Sequence, residues 1–179
     1  MKGIVFTELI EMIEARFSPN LADEVIDQCD LLSGGAYTAV GTYDHAELVL
    51  LVRKLSELTE IPVPDLVKEF GRYLFGRFLV LYPQFFEGVP DSLTLLQGIE
   101  SVIHFEVLKL YPDAQLPRFE VYRKDAGTLE LVYHSERHLE DLAEGLIEAC
   151  VAHFGEPIAI SRETMAEPSR PVRFTLRRI

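Results

Sequence analysis

One of the five histidines of this chain is placed to hold a metal. His104 lies in Ser101-Val102-Ile103-His104-Phe105-Glu106-Val107, inside a stretch of helical periodicity. At about 100° per residue, Leu96, Ile99, Ile103, Val107 and Leu110 form an apolar stripe, with His104 on its flank beside Leu93, Leu108 and Tyr111. A neutral imidazole at that edge can project into a pocket and coordinate a metal. The same spacing also suits a core histidine with both nitrogens satisfied. His45, His134, His138 and His153 have charged or polar neighbours and read as solvent-facing.

A second constellation is Tyr133-His134-Ser135-Glu136-Arg137. In extended chain, positions i, i+2 and i+4 point to one side, which would aim a phenol, an alcohol and a guanidinium together. Arginine grips a carboxylate with two hydrogen bonds, and hydroxyls satisfy its remaining lone pairs, so the triad can clamp an anion. The other reading makes Ser135 the N-cap of a following helix, with Tyr133 and Arg137 on the surface. The two cysteines, Cys29 and Cys150, form no disulfide framework. Cys150 and His153 are one helical turn apart, but they supply only two of the four ligands that structural zinc takes.

The elements that must position these groups change character along the chain. Residues 3–17 carry Ile4, Val5, Leu9, Met12 and Ile13 at helical spacing. Asn20 is read as the cap of a short helix reaching about Cys29, and 33–43 as a connection rich in small residues. Asp44 caps a helix through Thr59, and Pro62 and Pro64 break the chain before a helix over 65–81. Asp91 opens one long helix to about Leu110, stopped by Pro112. The period then shortens: 117–123 and 128–134 read as a hairpin about Asp125-Ala126-Gly127. A helix over 136–154 and strands over 157–162 and 171–177 follow. The fold class is α+β, a helical N-terminal lobe followed by an antiparallel sheet of about four strands with helices.

Composition narrows the function. The chain has 179 residues, 48% of them hydrophobic and 26% charged, which fits a single globular domain. A formal net charge of −12 repels nucleic-acid phosphate and anionic lipid, so neither is expected as a partner. Arg170, Arg173, Arg177 and Arg178 gather near the C-terminus and read as solvated strand residues. The N-terminus has no signal-peptide pattern and no apolar run reaches membrane-spanning length, so the expected location is cytoplasmic.

The chain resembles the H-NOX (haem–nitric oxide/oxygen binding) domain family, of the bacterial stand-alone NO-sensor type. The resemblance is carried in order by Met1-Lys2-Gly3-Ile4-Val5, Phe70-Gly71-Arg72, Ile103-His104-Phe105-Glu106-Val107-Leu108-Lys109-Leu110-Tyr111, Leu116-Pro117-Arg118, the Tyr-x-Ser-x-Arg at 133–137 and Glu144-Gly145-Leu146. It implies haem b, lying between the helical lobe and the sheet-bearing lobe. It implies His104 as the axial iron ligand and Tyr133, Ser135 and Arg137 as the propionate clamp. Pro117 matches the proline that packs against the macrocycle, with Phe78 and Val5 also against the haem. The implied organisation is one domain over 1–179, with a helical subdomain over about 1–62 and a haem-binding α+β subdomain over about 63–179.

The implied distal wall departs from the oxygen-binding members. They place a tyrosine five positions beyond the clamp arginine, where this chain has Leu142. Their helper asparagine corresponds to Leu74, and an aromatic of the first helix to Leu9; Leu146 completes the pocket. Bound O₂ needs a hydrogen-bond donor, whereas NO binds ferrous iron without one. The resemblance therefore implies a sensor of NO, also binding CO, that discriminates against O₂. Tyr73 carries the nearest hydroxyl. Members of this length act on a separate histidine kinase or cyclic-di-GMP enzyme and are not themselves enzymes. The alternative is a haem-free interaction module of the same fold. Residues 154–179 contain neither Cys nor His, so the zinc site of some relatives is not expected.

Overall fold

Helix α1 (Gly3–Arg16) starts against the loop that precedes α3 (His45–Thr59). The Gly3 amide donates to the Gly41 carbonyl at 2.8 Å, and Lys2 bridges to Thr42. A side chain at Gly3 would meet the Thr38 carbonyl oxygen at 1.9 Å, so only glycine permits this approach. The computed structural model describes residues 1–166 and 170–179.

Capping sets the helix starts. Helix α2 (Pro19–Asp27) is capped by Ser18, whose Oγ accepts from the Leu21 amide at 3.1 Å. The cap is thus two residues before Asn20, because Pro19 fits the first helical position, where no N–H is required. Asp44 caps α3 by accepting from the Ala46 amide at 2.9 Å, as expected. Helix α4 (Val63–Leu81) begins two residues before the expected 65, with Pro64 inside its first turn.

The long helix expected over 91–110 is three pieces. Asp91 accepts from the Thr94 amide at 2.7 Å and opens α5 (Ser92–Gln97). A π-helical stretch, Ile99–His104, follows, and α6 (Phe105–Leu110) completes the segment. A period of 3.6 cannot register this widened turn, whose hydrogen bonds run i→i+5; the Ile103 amide donates to the Gly98 carbonyl at 3.3 Å.

Strands β1 (Arg118–Arg123), β2 (Thr128–His134), β3 (Ile158–Thr164) and β4 (Val172–Arg178) form one antiparallel sheet in the order β1-β2-β4-β3. Its inner face is written in alternation: Leu129, Leu131 and Tyr133 stand opposite Leu176, Phe174 and Val172, and all six are buried. Helix α7 (Glu140–Phe154) begins four residues after the expected 136 and stops at Gly155, at φ 65°. Among the described residues the fold is α+β, as the sequence pattern implies.

The buried side chains fall into two cores. One gathers Phe6, Leu9, Met12, Val25, Leu51, Leu55 and Phe70 from the first four helices. The other joins the sheet to α5 and α7 through Leu93, Leu96, Phe119, Leu131, Ile147 and Phe174. Helix α4 serves both, giving Leu66, Phe70 and Leu74 to the first and Phe75 to the second. Where α4 crosses α7 the backbones touch: a Cβ on Gly145 would lie 2.0 Å from the Lys68 carbonyl oxygen and 3.0 Å from the Gly71 Cα. The start of α5 is fastened to the sheet by Arg178, 2.8 Å from Asp91 and 2.7 Å from Glu156.

Candidate functional site

Between the two cores lies a cavity of about 290 Å³, walled almost wholly by carbon. It is lined by residues of the N-terminus and α1, α4, the segment 95–111, the approach to β1, the end of β2 and α7.

His104 stands in its wall, with a side chain only 14% exposed. The π stretch puts it there. In an α-helix residue 104 would be about 140° round from residue 99. The wider turn brings the two positions back over one another, and Ile99, Ile103 and His104 all line the cavity. The Nδ1 of His104 lies 3.0 Å from Glu100 Oε1, which also accepts from the Phe119 amide at 2.7 Å. Burial pushes the imidazole pKa below its ordinary value, against the pull of Glu100. Burial thus favours the neutral ring, the form that binds metal. With Nδ1 engaged, Nε2 is the nitrogen left to act as a ligand.

At the polar edge stand Tyr133, Ser135 and Arg137. Tyr133 is buried at the end of β2, and burial pushes its phenol above the usual range. The Ser135 hydroxyl accepts from the Arg137 amide at 3.2 Å and closes a tight turn. It does not cap α7, whose first residue is Glu140; His138, at φ 51°, separates the two. The Arg137 guanidinium donates to the carbonyl and the side-chain oxygen of Gln115, both at 2.7 Å. Those two bonds orient the group and leave three of its five N–H donors for an anion.

The structure brings His104, Pro117, Tyr133, Ser135, Arg137, Val5, Leu74, Phe78, Leu142 and Leu146 around this one cavity. Leu9 is not in its wall: it is fully buried in the helical core. Tyr73 is not in the wall either and packs against that same core. Sequence reasoning gave no site role to several lining or supporting residues. Glu100 carried a readable signal, an acid four residues before the histidine and so on the same helix face. Gln115, Cys150 and Tyr82 carried none, while Tyr111 shares the helix flank of His104; the hydroxyls of Tyr82 and Tyr111 lie 3.4 Å apart. The Cys150–His153 pair is divided, with Cys150 on the cavity and the His153 ring among Phe75, Phe86 and Phe154. Among the described residues there is no cluster of three or more His, Cys, Asp or Glu able to hold a metal ion.

The haem-NO-binding family model matches residues 2–162. The chain belongs to the haem-NO-binding, or H-NOX, family. Solved H-NOX structures agree. The Fe(II) unliganded protein from K. algicida is 35% identical with a TM-score of 0.92, covering 100% of this chain and 97% of that one. The IWP-051-bound protein from Shewanella woodyi in the Fe(II)CO state is 42% identical at 0.86, covering 100% and 95%. The protein from S. oneidensis in the Fe(II)NO state is 29% identical at 0.89, covering 100% and 99%. Comparison with curated proteins returned no match.

Haem b is the cofactor of this H-NOX family, and the residues present suit it. Carbon walls match a flat apolar macrocycle, one imidazole faces inward, and the Arg137 guanidinium, with spare donors, stands at the cavity's edge. H-NOX proteins are haem-based gas sensors. No helix of the described residues is long and apolar enough to cross a membrane.

Proposed function

We propose that this H-NOX chain senses NO at ferrous haem, discriminates against O₂, and passes the signal to a separate enzyme. His104 Nε2 would hold the haem iron. Arg137, with Tyr133 and Ser135, would hold the propionates, and Pro117, Phe78 and Val5 would pack against the macrocycle. When bound, the haem supplies the iron that takes NO or CO. The observation that carries the selectivity is the set of side chains on the α4 and α7 walls: Leu74, Phe78, Leu142 and Leu146 offer no hydrogen-bond donor. O₂ on iron draws electron density that only a donor stabilises, whereas NO needs none.

The resemblance to stand-alone members supports a histidine kinase or cyclic-di-GMP enzyme as the separate target, and a non-catalytic role for this chain. It also supports a helical subdomain over about 1–62 joined to the haem-binding remainder.

The test is spectroscopic. Freshly purified protein should carry a Soret band, which a haem-free module would lack. The reduced protein should shift with NO and with CO, and admission of air should generate no new stable ferrous species. A stable new species in air would overturn the O₂ discrimination. Tyr82 and Tyr111, which line the cavity with their hydroxyls 3.4 Å apart, would then be the first donors to replace with Phe.

A further inference from the structure

His104 does not stand alone on its helix. A single oxygen, Glu100 Oε1, accepts from the backbone amide of Phe119 at 2.7 Å and lies 3.0 Å from His104 Nδ1. Phe119 is the second residue of β1, an edge strand, and its amide points to Glu100 instead of to a neighbouring strand. Its ring lies 6.0 Å from the His104 ring and 5.3 Å from that of Tyr133. The carboxylate thus joins the imidazole, the π stretch and the sheet edge through one atom.

From this geometry, and resting on the reading of His104 as iron ligand, we propose that Glu100 is the positioning residue of the proximal side. It fixes His104 with the proton on Nδ1, makes Nε2 a more basic ligand, and ties any movement of that ligand to β1. A carboxylate accepting from the far nitrogen of a metal-bound histidine sets its tautomer and raises its basicity. Because the same oxygen accepts from Phe119, His104 cannot move along its ring axis without loading or breaking a bond to the sheet. The edge amide alone would need an acceptor there, but any water would serve it.

The experiment compares wild type, Glu100→Gln and Glu100→Ala, all loaded with haem. The near-isosteric Gln variant keeps an acceptor and removes the charge; the Ala variant removes both. The iron–histidine stretching frequency of the ferrous protein should fall in the order wild type, Gln, Ala. The ferric/ferrous potential should rise in the same order. Loss of a tenfold preference of the charged pair for ferric over ferrous iron corresponds to about 59 mV for one electron. Haem transfer to an acceptor protein should be roughly tenfold faster in the Ala variant, the lower end of what such outer partners contribute. Variants that melt at a lower temperature but keep the wild-type frequency and potential would overturn the proposal, leaving Glu100 as a cap on the strand edge. A wild-type ferrous spectrum without a histidine–iron band would instead overturn the reading of His104 itself.

Discussion

Replacing Gly145 by Ala should destabilise this protein, whereas replacing Gly76 by Ala should stabilise it. Both glycines lie in helix interiors, α7 and α4. On helix propensity alone each substitution gains about 1 kcal/mol. A Cβ on Gly76 meets nothing within 4 Å, so that gain stands. A Cβ on Gly145 lies 2.0 Å from a backbone oxygen of α4, where ordinary contact begins near 3.4 Å; α7 must retreat by 1.4 Å, the difference. Neither the Lys68 carbonyl nor the Gly71 backbone can swing aside as a side chain could. The overpacking cost should therefore reach the upper end of its usual range, about 3 kcal/mol. The net loss is about 2 kcal/mol, or roughly 4–8 °C in Tm at this chain length, against a rise of roughly 2–4 °C for Gly76→Ala. Thermal unfolding followed by far-UV circular dichroism, at equal haem saturation, reads both. A Tm for Gly145→Ala at or above wild type would show that the crossing is not the tight contact described. The same retreat would move Leu142 and Leu146 away from Leu74 and Phe78, so faster haem loss should accompany the lower Tm.

Replacing His104 with Gly should abolish stable haem retention, with free imidazole partly restoring it; a variant that keeps the wild-type ferrous spectrum would remove His104 as ligand. Arg137→Ala should speed haem transfer to an acceptor more than Tyr133→Phe or Ser135→Ala. A charge-assisted bond contributes about 1.5–3 kcal/mol against ~1 for a neutral one, and equal rates for all three variants would count against the clamp. Acid should loosen the start of α5. Burial works against ionisation of Asp91 and Glu156, but bonds from Thr94 and Ser92 and the Arg178 guanidinium outweigh it and hold both carboxyls below their ordinary values of 3.8 and 4.5. A depressed folded value means stability that is full above the ordinary value and is lost as pH falls through the folded one. Tm should therefore drop below about pH 4, and Asp91→Asn with Glu156→Gln should flatten that slope; an unchanged slope would exclude these carboxyls as its source.

The sequence was most legible where one local rule acts alone. Alternation along 128–134 and 172–178 marks the inner sheet face at Leu129, Leu131, Tyr133, Val172, Phe174 and Leu176, with Val132 the exception, buried on the other face. Asp44 and Asp91 announce their helices because each caps directly. Legibility failed where two rules compete. Ser18 and Asn20 are both good caps, and Pro19 decides between them. Ser135 could cap a helix or close a turn, and the positive φ of His138 delays the helix to Glu140. The π turn is invisible to any count that assumes 3.6 residues per turn. Its consequence, His104 on the cavity face, came from the family resemblance instead. Leu9 shows the converse error: apolar residues correspond equally well to a pocket wall and to a core, and only packing separates them.

Cys150 borders the cavity, and burial pushes its thiol up to about 12. At neutral pH about one molecule in a hundred thousand then carries the thiolate, the form that reacts with oxidants and nitrosating agents. Burial raises the Cys29 thiol as well. A protein exposed to reactive nitrogen species meets two chemistries, coordination at a metal and covalent attack at sulfur. Burial of Cys150 therefore works against the covalent route at the thiol that borders the cavity. On the proposed reading, the response to NO should survive replacement of Cys150 by Ser or Ala, and loss of the response in that variant would assign it to the thiol.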